Sequence, residues 1–91
     1  MTAHYNITVK GHVQGVGFRY STLTMSRYYK IKGFIRNNND GSVYIEAEGD
    51  EIQLRQFIIW CRKGPDSADI TEVIVEKNKL CNYTSFEIRR Y

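Results

Sequence analysis

The sequence predicts an α+β fold of order β-α-β-β-α-β with a further short strand at the C-terminus. Two helices should pack on one face of an antiparallel sheet. Three observations carry this prediction. Apolar and polar residues alternate in three stretches, the period of half-buried strands. Two intervening stretches lose the alternation and carry apolar residues at helical spacing. An Asp-Gly pair at Asp40-Gly41 marks a hairpin between the second and third strands, because both residues tolerate positive φ.

The elements follow in order. Tyr5, Ile7 and Val9 alternate with Asn6, Thr8 and Lys10, and glycines at 11, 15 and 17 come next. From Phe18 to Tyr29 there is no Gly or Pro, and Phe18, Thr22, Met25 and Tyr29 would share one helical face. Alternation returns with Ile31, Gly33 and Ile35 and is broken by Asn37-Asn38-Asn39-Asp40-Gly41. It resumes with Val43, Ile45 and Ala47. Asp50 can cap a second helix, and Glu51 favours its first turn electrostatically. That helix carries the stripe Leu54, Phe57, Ile58, Cys61 and stops at Lys63-Gly64-Pro65. Ile70 to Glu76 is β-branched, and Thr84 to Arg89 supplies the terminal strand. This order is the split-βαβ, ferredoxin-like sandwich, with polar residues expected on the open sheet face.

A chain of 91 residues is expected to form one domain, residues 1–91, with a core that needs no metal or disulfide staple. No apolar run approaches the roughly 20 residues of a bilayer span, and residues 1–6 lack a secretory profile. A cytoplasmic protein without membrane contact is therefore expected. Thirteen basic and ten acidic residues give a net charge of +3, enough to favour small anions and too little to argue for nucleic acid. Cys61 and Cys81 form no C-x-x-C pair, and a disulfide between them is disfavoured in a reducing compartment. Neither metal nor cofactor is called for.

Topology brings two segments together. A crossover helix makes strands one and two parallel, so both end at one sheet edge, about 10 Å apart with strand three between them. There the first strand leads into Gln14-Gly15-Val16-Gly17-Phe18-Arg19 at a helix N-terminus, and the second ends at Asn37. Glycines allow successive N–H groups to point into one concavity, the helix end adds free donors and positive dipole, and Arg19 adds a fork suited to phosphate oxygens. Such a loop can equally be a plain tight turn. It is neither a Walker loop nor a dinucleotide fingerprint.

At these residues the chain resembles a known family. Gly11-His12-Val13-Gln14-Gly15-Val16-Gly17-Phe18-Arg19 is similar to the first signature of the acylphosphatases, and Gly33-Phe34-Ile35-Arg36-Asn37 with Asp40-Gly41-Ser42-Val43 to the second. The likeness continues through Lys63-Gly64-Pro65 and Ala68 to Phe86-Glu87-Ile88-Arg89. It implies a small metal-independent hydrolase that splits acyl phosphates into carboxylate and inorganic phosphate. By the same resemblance, Arg19 binds the phosphate with the loop Gly15, Val16, Gly17, Phe18 and Arg19, and Asn37 holds the attacking water. Lys30 and Phe34 stand where the family usually has Gly and Trp. Lys30 is then expected to be left-handed, and Phe34 to matter for packing only.

Other residues receive plainer expectations. His12 should be structural or solvated, His4 inert near the terminus, and Asp40 a turn residue. Arg36 either enriches the field at the site or is solvated. A non-catalytic phosphate- or carbamoyl-phosphate-binding module, as occurs within hydrogenase-maturation proteins, is the alternative function; the chain's free-standing size and its retention of Arg19 and Asn37 weigh against it. An RNA-binding βαββαβ domain is the rival from another class. It is weakened because Lys32-Gly33-Phe34 falls on the second strand and Ile35-Arg36 does not continue an aromatic pattern. The small-molecule substrate is the only partner expected, and a monomer suffices.

Overall fold

In the computed structural model, which describes residues 1–90, the elements follow the expected order. Strand β1 is Thr2–His12, helix α1 Phe18–Tyr28, β2 Lys32–Asn37, β3 Val43–Asp50, α2 Glu51–Lys63, β4 Asp69–Asn78 and β5 Phe86–Arg89. Tyr91, the last residue of the expected 1–91 domain, lies outside the described residues.

The strands form one sheet in the order β4-β1-β3-β2-β5. The first four are antiparallel neighbours, as expected for this sheet. The added strand differs, because β5 pairs with β2 in parallel, Ile35 opposite Ile88. Its direction follows from chain path. β4 ends beside His4, β5 begins beside Gly33, and both points lie at the same end of the sheet.

Inward-facing Ile7, Val9, Ile35, Val43, Ile45 and Ala47 meet Phe18 of α1 and Leu54, Phe57 and Cys61 of α2, all buried. Helix α2 starts as expected, with Asp50 Oδ2 accepting from Ile52 N at 3.1 Å, and ends at Gly64. Helix α1 buries Phe18, Thr22 and Ser26, whereas Met25 and Tyr29 are only partly covered. Small hydroxylated side chains can lie against the sheet because their own helix satisfies them: Thr22 Oγ1 donates to Phe18 O and Ser26 Oγ to Leu23 O. Lys30, just after the Tyr29 cap, adopts φ 58° and is left-handed as expected.

The open face is not uniformly polar and solvated. Residues 79–85 cross it as a strap between β4 and β5. Beneath it Glu48 accepts backbone N–H bonds from Cys81 at 2.6 Å and Tyr83 at 2.8 Å. Glu46 accepts the hydroxyls of Tyr83 at 2.6 Å and Tyr44 at 2.8 Å. His4 is not an inert terminal residue: it is fully buried, with Nδ1 2.6 Å from Lys79 O and Nε2 3.1 Å from Glu46 Oε1. Phe34 packs against Tyr44 and Tyr83 with the Arg89 guanidinium 4.0 Å above its ring. The expectation failed for His4 because the strap is a tertiary contact that local periodicity does not report.

Two predictions arise from this architecture. A non-glycine residue in the left-handed region is strained, so Lys30→Gly is expected to stabilise the fold by about 1 kcal/mol, read as a higher Tm. Burial pushes Glu46 and Glu48 towards neutrality, but their hydrogen bonds outweigh it and hold both carboxyls below the usual value of 4.5. The unfolded chain thus takes up these protons first. The stability they contribute is complete above pH 4.5 and is lost as pH falls through the lowered folded values. Glu48→Gln should cost about 2 kcal/mol at neutral pH and flatten the acid limb of Tm against pH, which thermal melts across that range will check.

Candidate active site

At the sheet end opposite to His4, the chain leaves β1 at His12 and enters α1 at Phe18, while β2 finishes at Asn37 with only β3 between. Val13 is buried and anchors the loop, and Phe18 is fixed by its packing against Trp60. Gly15 and Gly17 have φ 74° and 76°. A Cβ at either would meet nothing within 4 Å, so these positions need glycine for its backbone conformation rather than for room. Among the described residues, no hydrogen bond engages the N–H groups of Gly15, Val16 or Gly17. Helix α1 has neither a capping side chain nor an acidic residue in its first turn. Its amino end therefore keeps both free donors and positive partial charge.

Gly15, Gly17, Phe18 and Arg19 line a cavity of about 220 Å³ with Val13, Tyr20 and Asn37. The chain thus brings together five of the six residues expected at the site. Val16 is the exception: its side chain packs against the core and its carbonyl accepts from Ser67 Oγ at 2.8 Å, leaving only its N–H for a ligand. Arg19 and Asn37 are both half-buried. Asn37 Oδ1 is buried and accepts no hydrogen bond from the described residues. A buried amide oxygen without a donor is costly, and the residue that carries it lines the cavity. The arrangement can hold a tetrahedral oxyanion on backbone donors and a guanidinium, with an amide beside it to orient a water.

Gln14 was visible in the sequence only as the first residue of the loop. Its Nε2 donates to both Asn38 O at 2.7 Å and Ser42 O at 2.9 Å, which ties the glycine loop to the β2–β3 turn beside Asn37. That turn is itself braced by Asp40 Oδ1, which accepts from Ser42 N and Oγ. These bonds hold the Asp40 carboxyl below its usual value and bear out a turn role. No spacing rule reports such a contact. Tyr20, exposed on the first turn of α1, is a second lining residue that helical periodicity did not single out.

Other candidates separate from the site. His12 is exposed and lies opposite Asp69 in the sheet register. The Arg36 guanidinium stacks over Tyr44 at 4.8 Å on the open face, so it is neither free in solvent nor aimed into the cavity. Cys61 is buried and Cys81 exposed, and both are free thiols. The sheet face that an RNA-binding βαββαβ module would present is crossed here by the strap, with Phe34 buried beneath it.

Fold and cavity together define an α+β sandwich whose β1–α1 loop and helix N-terminus form a cradle suited to an oxyanion. Comparison with known proteins makes this specific. The acylphosphatase family model matches residues 5–88. The chain is 47% identical over 85 residues to the acylphosphatase of Thermotoga maritima, covering 93% of this chain and 94% of that one. It superposes on the crystal structure of acylphosphatase from Bacillus subtilis with a TM-score of 0.93 at 36% identity, over 98% and 99% of the two chains. It also matches T. kodakarensis HypF with a TM-score of 0.85 at 28% identity, over the whole of this chain and 12% of that one. The chain belongs to the acylphosphatase family.

The Gln14 contact generates its own prediction. Gln14→Ala frees the loop from the β2–β3 turn, and misplacing cradle and amide relative to each other by about 1 Å costs on the order of 10²-fold. Turnover is expected to fall by about 10- to 100-fold with a smaller effect on Tm, measured by steady-state kinetics beside thermal melts.

Proposed function

We propose that this protein hydrolyses acyl phosphates to a carboxylate and inorganic phosphate, using Arg19 and the amides of Gly15, Val16, Gly17, Phe18 and Arg19 to hold the phosphoryl group and Asn37 to orient water. The observation that carries the residue roles is the convergence of an uncapped helix N-terminus, Arg19 and Asn37 on one cavity.

The chemistry suits so few groups. A carboxylate is a good leaving group and needs no proton from a general acid. Phosphoryl transfer passes through a loose transition state, in which positioning and charge stabilisation supply most of the acceleration. Backbone N–H groups and the Arg19 fork already surround the place where the phosphoryl oxygens sit, so they stabilise the redistributed charge without rearranging. Asn37 is no base. Its Oδ1 accepts from one O–H of the water and turns an oxygen lone pair towards phosphorus. The water attacks as the bond to the acyl oxygen breaks, the electron pair leaves with the carboxylate, and the water's proton passes to a phosphate oxygen or to solvent. Neither step calls on a metal or an organic cofactor.

The same reading takes residues 1–91 as one domain acting as a monomer in the cytoplasm. A buried free thiol at Cys61 fits a reducing compartment, and among the described residues no helix is long and apolar enough to cross a membrane. The match to HypF keeps a non-catalytic phosphate-binding domain as the alternative. The near full-length match to curated acylphosphatases and the presence of both Arg19 and Asn37 favour the enzyme.

Hydrolysis of benzoyl phosphate in excess EDTA tests this, followed by the loss of acyl-phosphate absorbance. Wild type should turn over rapidly. Asn37→Ala should lose roughly 10²–10³ in kcat, the scale for removing one preorganised group, while inorganic phosphate still raises its Tm. Arg19→Ala should lose both turnover and the phosphate effect. Near-wild-type turnover in folded Asn37→Ala would remove its assigned role. Absence of turnover with phosphate protection intact would select the binding module.

A further inference from the structure

The strap end of the sheet gathers donor groups that the catalytic chemistry does not use. His4 Nδ1 lies 2.6 Å from Lys79 O, and a carbonyl can only accept, so Nδ1 carries a hydrogen. In a neutral ring Nε2 then bears a lone pair. That nitrogen is fully buried, makes no hydrogen bond among the described residues, and faces Glu46 Oε1 at 3.1 Å. Lone pair confronts carboxylate oxygen unless a cation lies between them. Cys81 Sγ lies on the Nδ1 side of the same ring, 3.6 Å from Nδ1, and one donor atom from each of His4, Glu46 and Cys81 lies within 4.8 Å of the others, so Sγ must swing towards Nε2 to complete the group.

We propose that His4, Glu46 and Cys81 form a binding site for a divalent, borderline-soft metal ion of the Zn²⁺ class, which clamps the strap onto the sheet. A nitrogen, an oxygen and a sulfur donor suit such an ion better than Mg²⁺ or Ca²⁺, which take oxygen ligands. Tetrahedral coordination at about 2.0 Å to N and O and 2.3 Å to S needs donors roughly 3.3–3.5 Å apart. The His4–Glu46 pair is close to that spacing already. Cys81 is exposed, so its side chain closes the third distance by rotation and leaves the fourth position to water. On binding, the Cys81 thiol gives its proton to solvent.

The surroundings match what orients metal ligands elsewhere. A ligating histidine typically donates its other ring N–H to a backbone carbonyl, here Lys79 O, and a ligating carboxylate is itself hydrogen-bonded, here by the Tyr83 and Tyr44 hydroxyls. The site lies on the open face, about 30 Å along β1 from Val13, so it would secure the strap without entering catalysis. The inference is independent of the proposed hydrolysis.

Reduced full-length protein titrated with Co²⁺ and then Zn²⁺ decides it. One equivalent of Co²⁺ should bind with a thiolate charge-transfer band that Zn²⁺ abolishes. Zn²⁺ at 100 times its Kd should raise Tm by roughly 10 °C. Cys81→Ser, which alters an exposed side chain, should lose the band and weaken Zn²⁺ binding by at least about 100-fold, while benzoyl phosphate hydrolysis stays unchanged. Cys81→Ala provides a second variant without an oxygen ligand, and the buried Cys61 thiol cannot substitute. Less than one equivalent bound by wild type, or equal affinity and an equal band in the Cys81 variants, would overturn the site. The cation between His4 and Glu46 would then be a proton on Nε2.

Discussion

The structure depends on one topological constraint: β1 and β2 run parallel with β3 between them, so both end at the same edge of the sheet. The crossover that makes them parallel is α1, and it begins where β1 ends. The N-terminus of α1 is therefore delivered to the same edge as Asn37. A free helix end and an amide from a distant strand become neighbours without any dedicated loop architecture. The glycines then adjust the approach. With φ near 75° at Gly15 and Gly17, successive N–H groups turn into the concavity instead of continuing the extended path of β1.

Much of this was legible in the sequence because it depends on local rules. Alternation identified the first three strands, β-branched residues the fourth, Asp40-Gly41 the hairpin, and Asp50 and Gly64 the limits of α2, while connectivity placed the third strand between the first two. The pairing of the glycine loop with Asn37 also followed, since it needs only the direction of two strands. Where expectation departed from structure, the missing information was tertiary. His4 looked like a terminal residue because nothing near it in sequence covers it; Lys79 and Cys81, which do, lie more than seventy residues away. Gln14 looked like part of a motif because its partners, Asn38 O and Ser42 O, are backbone atoms of another hairpin and leave no side-chain signature. The parallel pairing of β5 was hidden for a related reason, since four residues of alternating character fit either direction.

The two ends of the sheet are built on opposite polar principles. At the strap end most donors and acceptors are matched, since Glu48 takes two backbone N–H groups and Glu46 two hydroxyls, and His4 Nε2 is the exception. Such satisfied buried groups fix one arrangement of the chain across the open face. At the cavity end, the N–H groups of Gly15, Val16 and Gly17 and the Asn37 side-chain Oδ1 are left without partners among the described residues. Unsatisfied groups are unfavourable for the free protein, which is the cost that the phosphoryl group and water of the proposed reaction would offset. The fold tolerates them because the core between the two ends is continuous and apolar from Ala3 to Cys61.

This division also explains why the site works with so little machinery. Each group that would touch the phosphoryl oxygens is either backbone or a first-turn side chain of a helix packed through Phe18 on Trp60, so none must be gathered from a mobile loop on binding. The loop and turn are cross-linked by Gln14, which fixes the glycine loop relative to the turn that follows Asn37. For a reaction whose leaving group is already a stable anion, preorganisation of that geometry is the main thing a protein can add. A general acid or base would contribute less here than it would for an alkoxide leaving group. The exposed His12 beside the loop can therefore remain outside the chemistry.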